Sequence, residues 1–180
     1  MSVYDLIPEA REEGRTLGWH FCAVDNDENL VMRDGTVIPR GAEREWLPTC
    51  TVRMCESGYH ASEDLRDALS YAPDGRALCL VELAGNIQRS DDKMCGATRR
   101  VLARIDVHPL LVQYARDSVS AINDSGVVDY ARRLAAAIDA GDRATVEDLT
   151  RNEPGVDLDA PFFKFAAAVE SAAMSELAAG

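Results

Sequence analysis

The feature that most constrains this chain is a change of hydrophobic period near Pro109. Before it, apolar side chains recur mainly every second residue, the period of a strand; after it they recur every three to four, the period of a helix. Trp19, Phe21 and Ala23 alternate with His20, Cys22 and Val24, and the polar run Asp25-Asn26-Asp27-Glu28-Asn29 turns the chain back into Leu30-Val31-Met32. This pattern predicts a hairpin. A second turn at Arg33-Asp34-Gly35 precedes Val37-Ile38, Pro39 and Gly41 close that piece, and Thr51-Val52-Arg53-Met54 reads as a further short strand. Ala77 to Leu83 reads as a buried strand. Thr98 to Asp106 sets Val101, Ala103 and Ile105 against Arg100, Leu102 and Arg104, a strand with one wet face.

One helix interrupts this strand-rich half. Ser62 is its expected N-cap, Glu63 and Asp64 stand where the helix dipole favours carboxylates, and Leu65, Ala68, Leu69 and Ala72 share a face. Pro73-Asp74-Gly75 ends it. Beyond Pro109, Val127, Tyr130, Ala131, Leu134 and Ile138 form an apolar stripe, capped ahead by Asp124 or Ser125 and stopped at Gly141. Asp142 caps a third short helix to about Thr150, and Pro154-Gly155 breaks it. Asp159-Ala160-Pro161 opens a last helix with Phe162, Phe165, Ala166, Val169 and Leu177 on one side.

The expected fold is therefore α+β: a core domain over residues 1–108, mainly an antiparallel sheet with one helix across it. A C-terminal helical region, 109–180, packs on that core, and exposed Arg99, Arg100 and Arg104 are placed to pair with the acidic tail. With 47% hydrophobic and 28% charged residues the composition is that of a globular protein, far from that of a disordered chain. No apolar run approaches the roughly 20 residues that span a bilayer. The excess of 31 acidic over 19 basic residues gives a net charge of -12. A surface of that sign repels a phosphate backbone, which argues against direct nucleic-acid binding, and suits a basic protein partner. Five cysteines, Cys22, Cys50, Cys55, Cys79 and Cys95, make an odd set with no signal peptide ahead of them, the pattern of a reduced, cytoplasmic protein.

Candidate chemistry gathers in the turn Gly58-Tyr59-His60-Ala61-Ser62. A histidine between a strand and a helix is positioned for acid–base work or ligand binding; the same ring, satisfied by backbone groups, pins a turn. His20 lies on the first strand, and His108, before Pro109, reads as a loop residue. Cys50-x4-Cys55-x4-His60 supplies three metal-ligand types, but zinc ligands pair two to four residues apart, so no metal is expected. No cysteine adjoins a histidine in a known nucleophilic motif. Asp91-Asp92-Lys93 is the residue set either of a solvated hairpin turn or of a small polar-ligand site.

The segment Cys55 to Ala72, then Leu80-Val81-Glu82-Leu83-Ala84-Gly85, Asp91-Asp92-Lys93 and Arg99, resembles an uncharacterised phage and bacterial domain of unknown function. Its members carry a Gly-(Leu or Phe)-His-Ala-Ser turn followed by Asp-Ala-Leu-x-Tyr-Ala-Pro. The resemblance covers roughly residues 18 to 110. It implies a phage-borne or mobile accessory protein. The expected function is a phage- or prophage-type protein that acts in the host cytoplasm by binding and modulating a host or defence protein, without catalysis or cofactor, with a second copy of the chain among its expected partners. Gly18-Trp19-His20, Tyr59, His60, Tyr71 and the strand Leu78 to Leu83 are also similar in order to the nicotinamide-clamping elements of ADP-ribosyltransferases. That likeness implies NAD or nucleotide binding, with His20, Tyr59 and His60 as catalytic candidates. After Gly85, however, no glutamate occurs before Glu147 to stabilise an oxocarbenium ion. The residues singled out for binding are His20, Arg53, Tyr59, His60, Ser62, Tyr71 and Lys93.

Overall fold

Asp25 makes the first hairpin: its Oδ1 accepts the N–H groups of Asp27 and Asn29, each at 2.9 Å. This carboxylate-capped turn returns β1 (Thr16–Val24) into β2 (Leu30–Val31). A second turn, with Gly35 at φ 86° and the Thr36 N–H held by Asp34, leads to β3 (Val37–Ile38). β1 also pairs with β5 (Ala77–Ala84), which pairs with β8 (Thr98–Asp106). The result is a five-stranded antiparallel sheet, ordered β3-β2-β1-β5-β8. A three-stranded sheet, ordered β4-β7-β6, is formed by β4 (Tyr59–Ala61), β6 (Gln88–Arg89) and β7 (Met94–Gly96). The computed structural model describes residues 10, 15–72, 77–124, 126–140, 142, 144–145, 148–149 and 158–179. They fall in two compact units: residues 1–108 with 168–180, and residues 109–167.

In the first unit, β5 carries an unbroken run of buried side chains from Ala77 to Leu83, because it lies inside the sheet with both faces covered. One of its faces joins Cys22, Ala77, Cys79, Val81, Leu83 and Val101 to Ala61 and Met94 of the small sheet in the principal core cluster. β8 shifts register where Leu80 and Val81 face it, pairing with Ala103 and Val101 and leaving Leu102 as the extra residue. Such a bulge transfers the alternation from one face to the other. Arg99 and Val101 thus stand on the face of Leu83 and Val81, while Ala103 and Ile105 stand with Leu80 and Leu78.

Four expectations are corrected here. Thr51 to Met54 is not a strand: Arg53 and Ser57 exchange backbone hydrogen bonds at 3.0 and 2.9 Å, and Cys55 takes φ 66°, so the chain reverses too soon to form a ladder. Ser62 is not the helix cap. Its backbone exchanges hydrogen bonds with Trp19 at 2.7 and 2.9 Å, and Asp64 caps the five-residue helix α1 (Leu65–Leu69) by accepting the Arg66 N–H at 2.7 Å. His108 is not a loop residue but opens helix α2 (His108–Asp124), where its N–H meets Asp106 and Pro109 is tolerated in the first turn. Arg99 is not exposed: it is wholly buried, while Arg100 and Arg104 are engaged within the sheet unit.

The second unit holds α2, α3 (Val127–Asp139) and the first half of α4 (Asp159–Ala179). Tyr114 of α2 meets Phe165 of α4 with ring centroids 5.3 Å apart, and Phe162 and Phe165 are buried, as the apolar stripe predicts. In the C-terminal half of α4, assigned to the first unit, Val169 and Ala173 are fully buried. Asp142 accepts from the Thr145 N–H and hydroxyl, the capping geometry expected of it. The breaks at Pro73-Asp74-Gly75 and Pro154-Gly155, the cap at Ser125, the stop at Gly141 and the side chains of Asp124, Val127, Ala131 and Ile138 lie outside the described residues. Among those described, no helix is long and apolar enough to cross a membrane.

Candidate functional site

Three of the expected site residues meet on one face of the main sheet. The Trp19–Ser62 backbone pair ties the end of β4 to β1, which brings Tyr59 and His60 over His20. Arg99 lies between them. Its Nη1 donates to the His60 carbonyl at 3.4 Å, its guanidinium sits 5.7 Å from the centre of the Tyr59 ring, and its Nη2 is 4.0 Å from Cys22 Sγ. The Tyr59 hydroxyl donates to the Pro48 carbonyl at 2.9 Å, which fixes the ring. Ser62 is buried beside this group through its backbone pairing.

The electrostatics of the cluster follow from burial and from Arg99. Burial, and then the Arg99 charge, lower the pKa of His20; burial, and then the Lys93 charge, lower that of His60, so both rings are neutral near pH 7. Cys79 lies directly across from His20 in the sheet register, in the same core cluster as Cys22. The neighbouring Cys79 thiol, with His20 and Arg99, lowers the pKa of Cys22, and Cys22 and burial raise that of Cys79. Burial also raises the Tyr59 phenol. Arg99 Nε and His60 Nε2 are buried without a hydrogen-bond partner, and no described carboxylate is paired with Arg99. A buried donor such as the Arg99 Nε–H is uncommon and suits an acceptor-rich ligand or an anionic neighbour.

Tyr71 and Lys93 form a second, exposed cluster. The Tyr71 hydroxyl donates to Asp92, Lys93 Nζ donates to the Tyr71 oxygen at 3.2 Å, and Lys93 lies 4.9 Å from the ring centre. The hydrogen bond from Tyr71 holds the Asp92 carboxyl below its usual range. Asp91-Asp92-Lys93 is the turn between β6 and β7, so the hairpin residue set also builds this cluster. The two groups communicate through the Lys93 charge at His60. Arg53 belongs to neither: it pairs with Glu56 at 3.6 Å, both side chains largely exposed.

Sequence reasoning missed Arg99, Cys22 and Cys79 as members of the site. Arg99 shares its parity with Val101 along the strand, and that parity places it on the buried face. Cys22 follows His20 by two residues and so shares its face; Cys79 is brought opposite only by the strand pairing. A separate cleft of about 510 Å³ is lined by Glu28, Arg40, Glu43, Arg44, Arg104, Glu176 and neighbouring residues, and none of the expected site residues borders it. Arg104 crosses its wall, at 3.4 Å from carboxylate oxygens of both Glu28 and Glu43. No group of three or more His, Cys, Asp or Glu side chains among the described residues is disposed to hold a metal ion.

No curated protein and no solved structure matches the chain. Residues 43–113 match the domain of unknown function DUF7666, a stretch that contains Tyr59, His60, Cys79 and Arg99 but not His20 or Cys22 of β1.

Proposed function

We propose that this protein is a phage- or prophage-type accessory protein that works in the host cytoplasm by binding and modulating a basic host or defence protein, without catalysis. The observation that carries this reading is the acidic excess, because the core's arginines are already used internally. Arg99 is buried, Arg100 is paired with Glu82, Arg104 with Glu28 and Glu43, and Arg89 with Glu63. The net charge of -12 is the excess of 31 acidic over 19 basic residues, and these internal pairs leave it unchanged. Complementary charge steers association and is screened over about 8 Å at physiological ionic strength. Capture of a partner from the natural host should weaken as salt rises and with Asp or Glu to Lys reversals, and should survive the double substitution His20→Ala, His60→Ala. A folded double variant that has lost function, with charge variants unaffected, sinks this reading.

A second reading, a nucleotide- or NAD-binding, ADP-ribosyltransferase-like enzyme, is favoured by the meeting of His20, Tyr59 and His60 around Arg99. A ligand at 100 times its dissociation constant stabilises a fold by about 2.7 kcal/mol, so a thermal-shift titration with NAD decides it.

A further inference from the structure

A wholly buried guanidinium needs a counter-charge, and Arg99 has no carboxylate partner among the described residues. The anion-forming group nearest to it by the contacts made is the Cys22 sulfur, 4.0 Å from Nη2. Two further groups stand beside that sulfur and favour its charged form: His20 and Cys79, which face each other across the β1–β5 pair. Cys22 is itself buried, and His20, on the same face of β1, is partly exposed.

We propose that Cys22 is held as a thiolate, ion-paired with Arg99, and that it is the chain's site of oxidation by small hydroperoxides. The thiolate sulfur attacks the distal peroxide oxygen; the S–O bond forms as the O–O bond breaks. Sulfur is oxidised by two electrons, the peroxide is reduced, and the departing alkoxide or hydroxide takes a proton from water. The product is a sulfenic acid at Cys22, whose anionic form the Arg99 guanidinium still faces. Cys79 is not its disulfide partner. It stands diagonally from Cys22 across the β1–β5 pair, a spacing of about 7–8 Å between Cα atoms that exceeds what a disulfide bridges without backbone movement.

The charged and titratable groups that bear on the sulfur first are Arg99, His20 and Cys79. Beyond them stand His60, which bears on His20; Arg104, which bears on Cys79; and Asp34, which senses Arg99. A thiol of ordinary pKa, about 8.5, is ionised to roughly one part in three hundred at pH 6, so a native thiolate is conspicuous there.

The experiment uses the reduced full-length protein at pH 6. The ultraviolet absorbance of one thiolate is expected in the folded protein, lost on unfolding in urea and absent from Cys22→Ser. Treatment with limiting hydrogen peroxide, acid quench and peptide mass analysis should find one added oxygen on Cys22 at least roughly tenfold ahead of the exposed Cys55. Absence of an unfolding-sensitive thiolate absorbance overturns the ion pair, whether or not Cys22→Ser folds. A thiolate that is present but leaves Cys22 unmodified while Cys55 oxidises overturns the oxidation site.

Discussion

At the scale of single residues, Gly58 is the position least open to change. It takes φ +113°, and a Cβ there would lie 2.3 Å from Cys95 Sγ and 3.3 Å from the Gly96 carbonyl. Gly58→Val combines left-handed strain with overpacking and should cost about 3 kcal/mol, against about 1 kcal/mol for His60→Ala, by urea denaturation. His20 and His60 also set an acid limit. Both have lowered pKa values in the fold and about 6.5 when unfolded, so the stability they contribute is present above pH 6.5 and is lost as pH falls below it. Cys22, with its lowered pKa, adds the same sign from about pH 8.5 downward; Cys79, raised, contributes fully below that value and loses its contribution above it. The urea midpoint should drop between pH 7 and pH 5, and by less in His60→Gln. A flat profile would show that these rings titrate alike in both states. The histidines and Tyr59 were legible in the sequence as a polar turn near a strand. Arg99 was not, although its parity marked it, because a long cationic side chain reads as solvated by default and only the second sheet covers it.

At the scale of elements, the helix after the turn shows where local signals mislead. Ser62 and Asp64 are both cap-forming types, and the Trp19 pairing draws Ser62 into the sheet and leaves the cap to Asp64. Asp64→Ala should cost about 1 kcal/mol, while Ser62→Ala, which keeps the backbone pair, should cost less than about 0.5 kcal/mol; equal losses would return the cap to Ser62. On β5 and β8, Glu82 is buried and accepts two hydrogen bonds from Arg100 at 2.9 and 2.7 Å, and Arg100 in turn lies 4.8 Å from the Trp46 ring centre. Arg100→Met leaves the carboxylate unpaired and should cost about 1–3 kcal/mol, with part recovered by adding Glu82→Gln. Thermal or urea unfolding of the two variants reads this directly. β5, β8 and α4 were legible because long, strongly periodic segments carry their own pattern. The Thr51–Met54 strand failed because a short run with only Thr51 and Val52 β-prone, and no partner ladder, forms no strand.

At the scale of the whole molecule, the last helix joins chain segments distant in sequence. Residues 168–180 cluster with residues 1–108, and Val169 and Ala173 are fully buried, as Phe162 and Phe165 are nearly so. Each large apolar side chain of this kind contributes about 1.5–3 kcal/mol when buried. Deleting residues from Asp159 onward should lower the urea midpoint and drive self-association in size-exclusion chromatography; a monomeric, equally stable product would mean that α4 stabilises nothing. By itself the sequence determined the fold class, the strands and helices with a sustained period, the first two turns and the acidic excess, since all of these depend on residues near one another or on composition alone. Only the tertiary structure decided that β1 lies between β2 and β5, that Cys79 stands across from His20, and that the small sheet closes over Arg99. Those relations depend on pairing between distant segments, whose register no local pattern encodes, and it is burial between the two sheets that sets the Arg99 guanidinium beside the Cys22 sulfur.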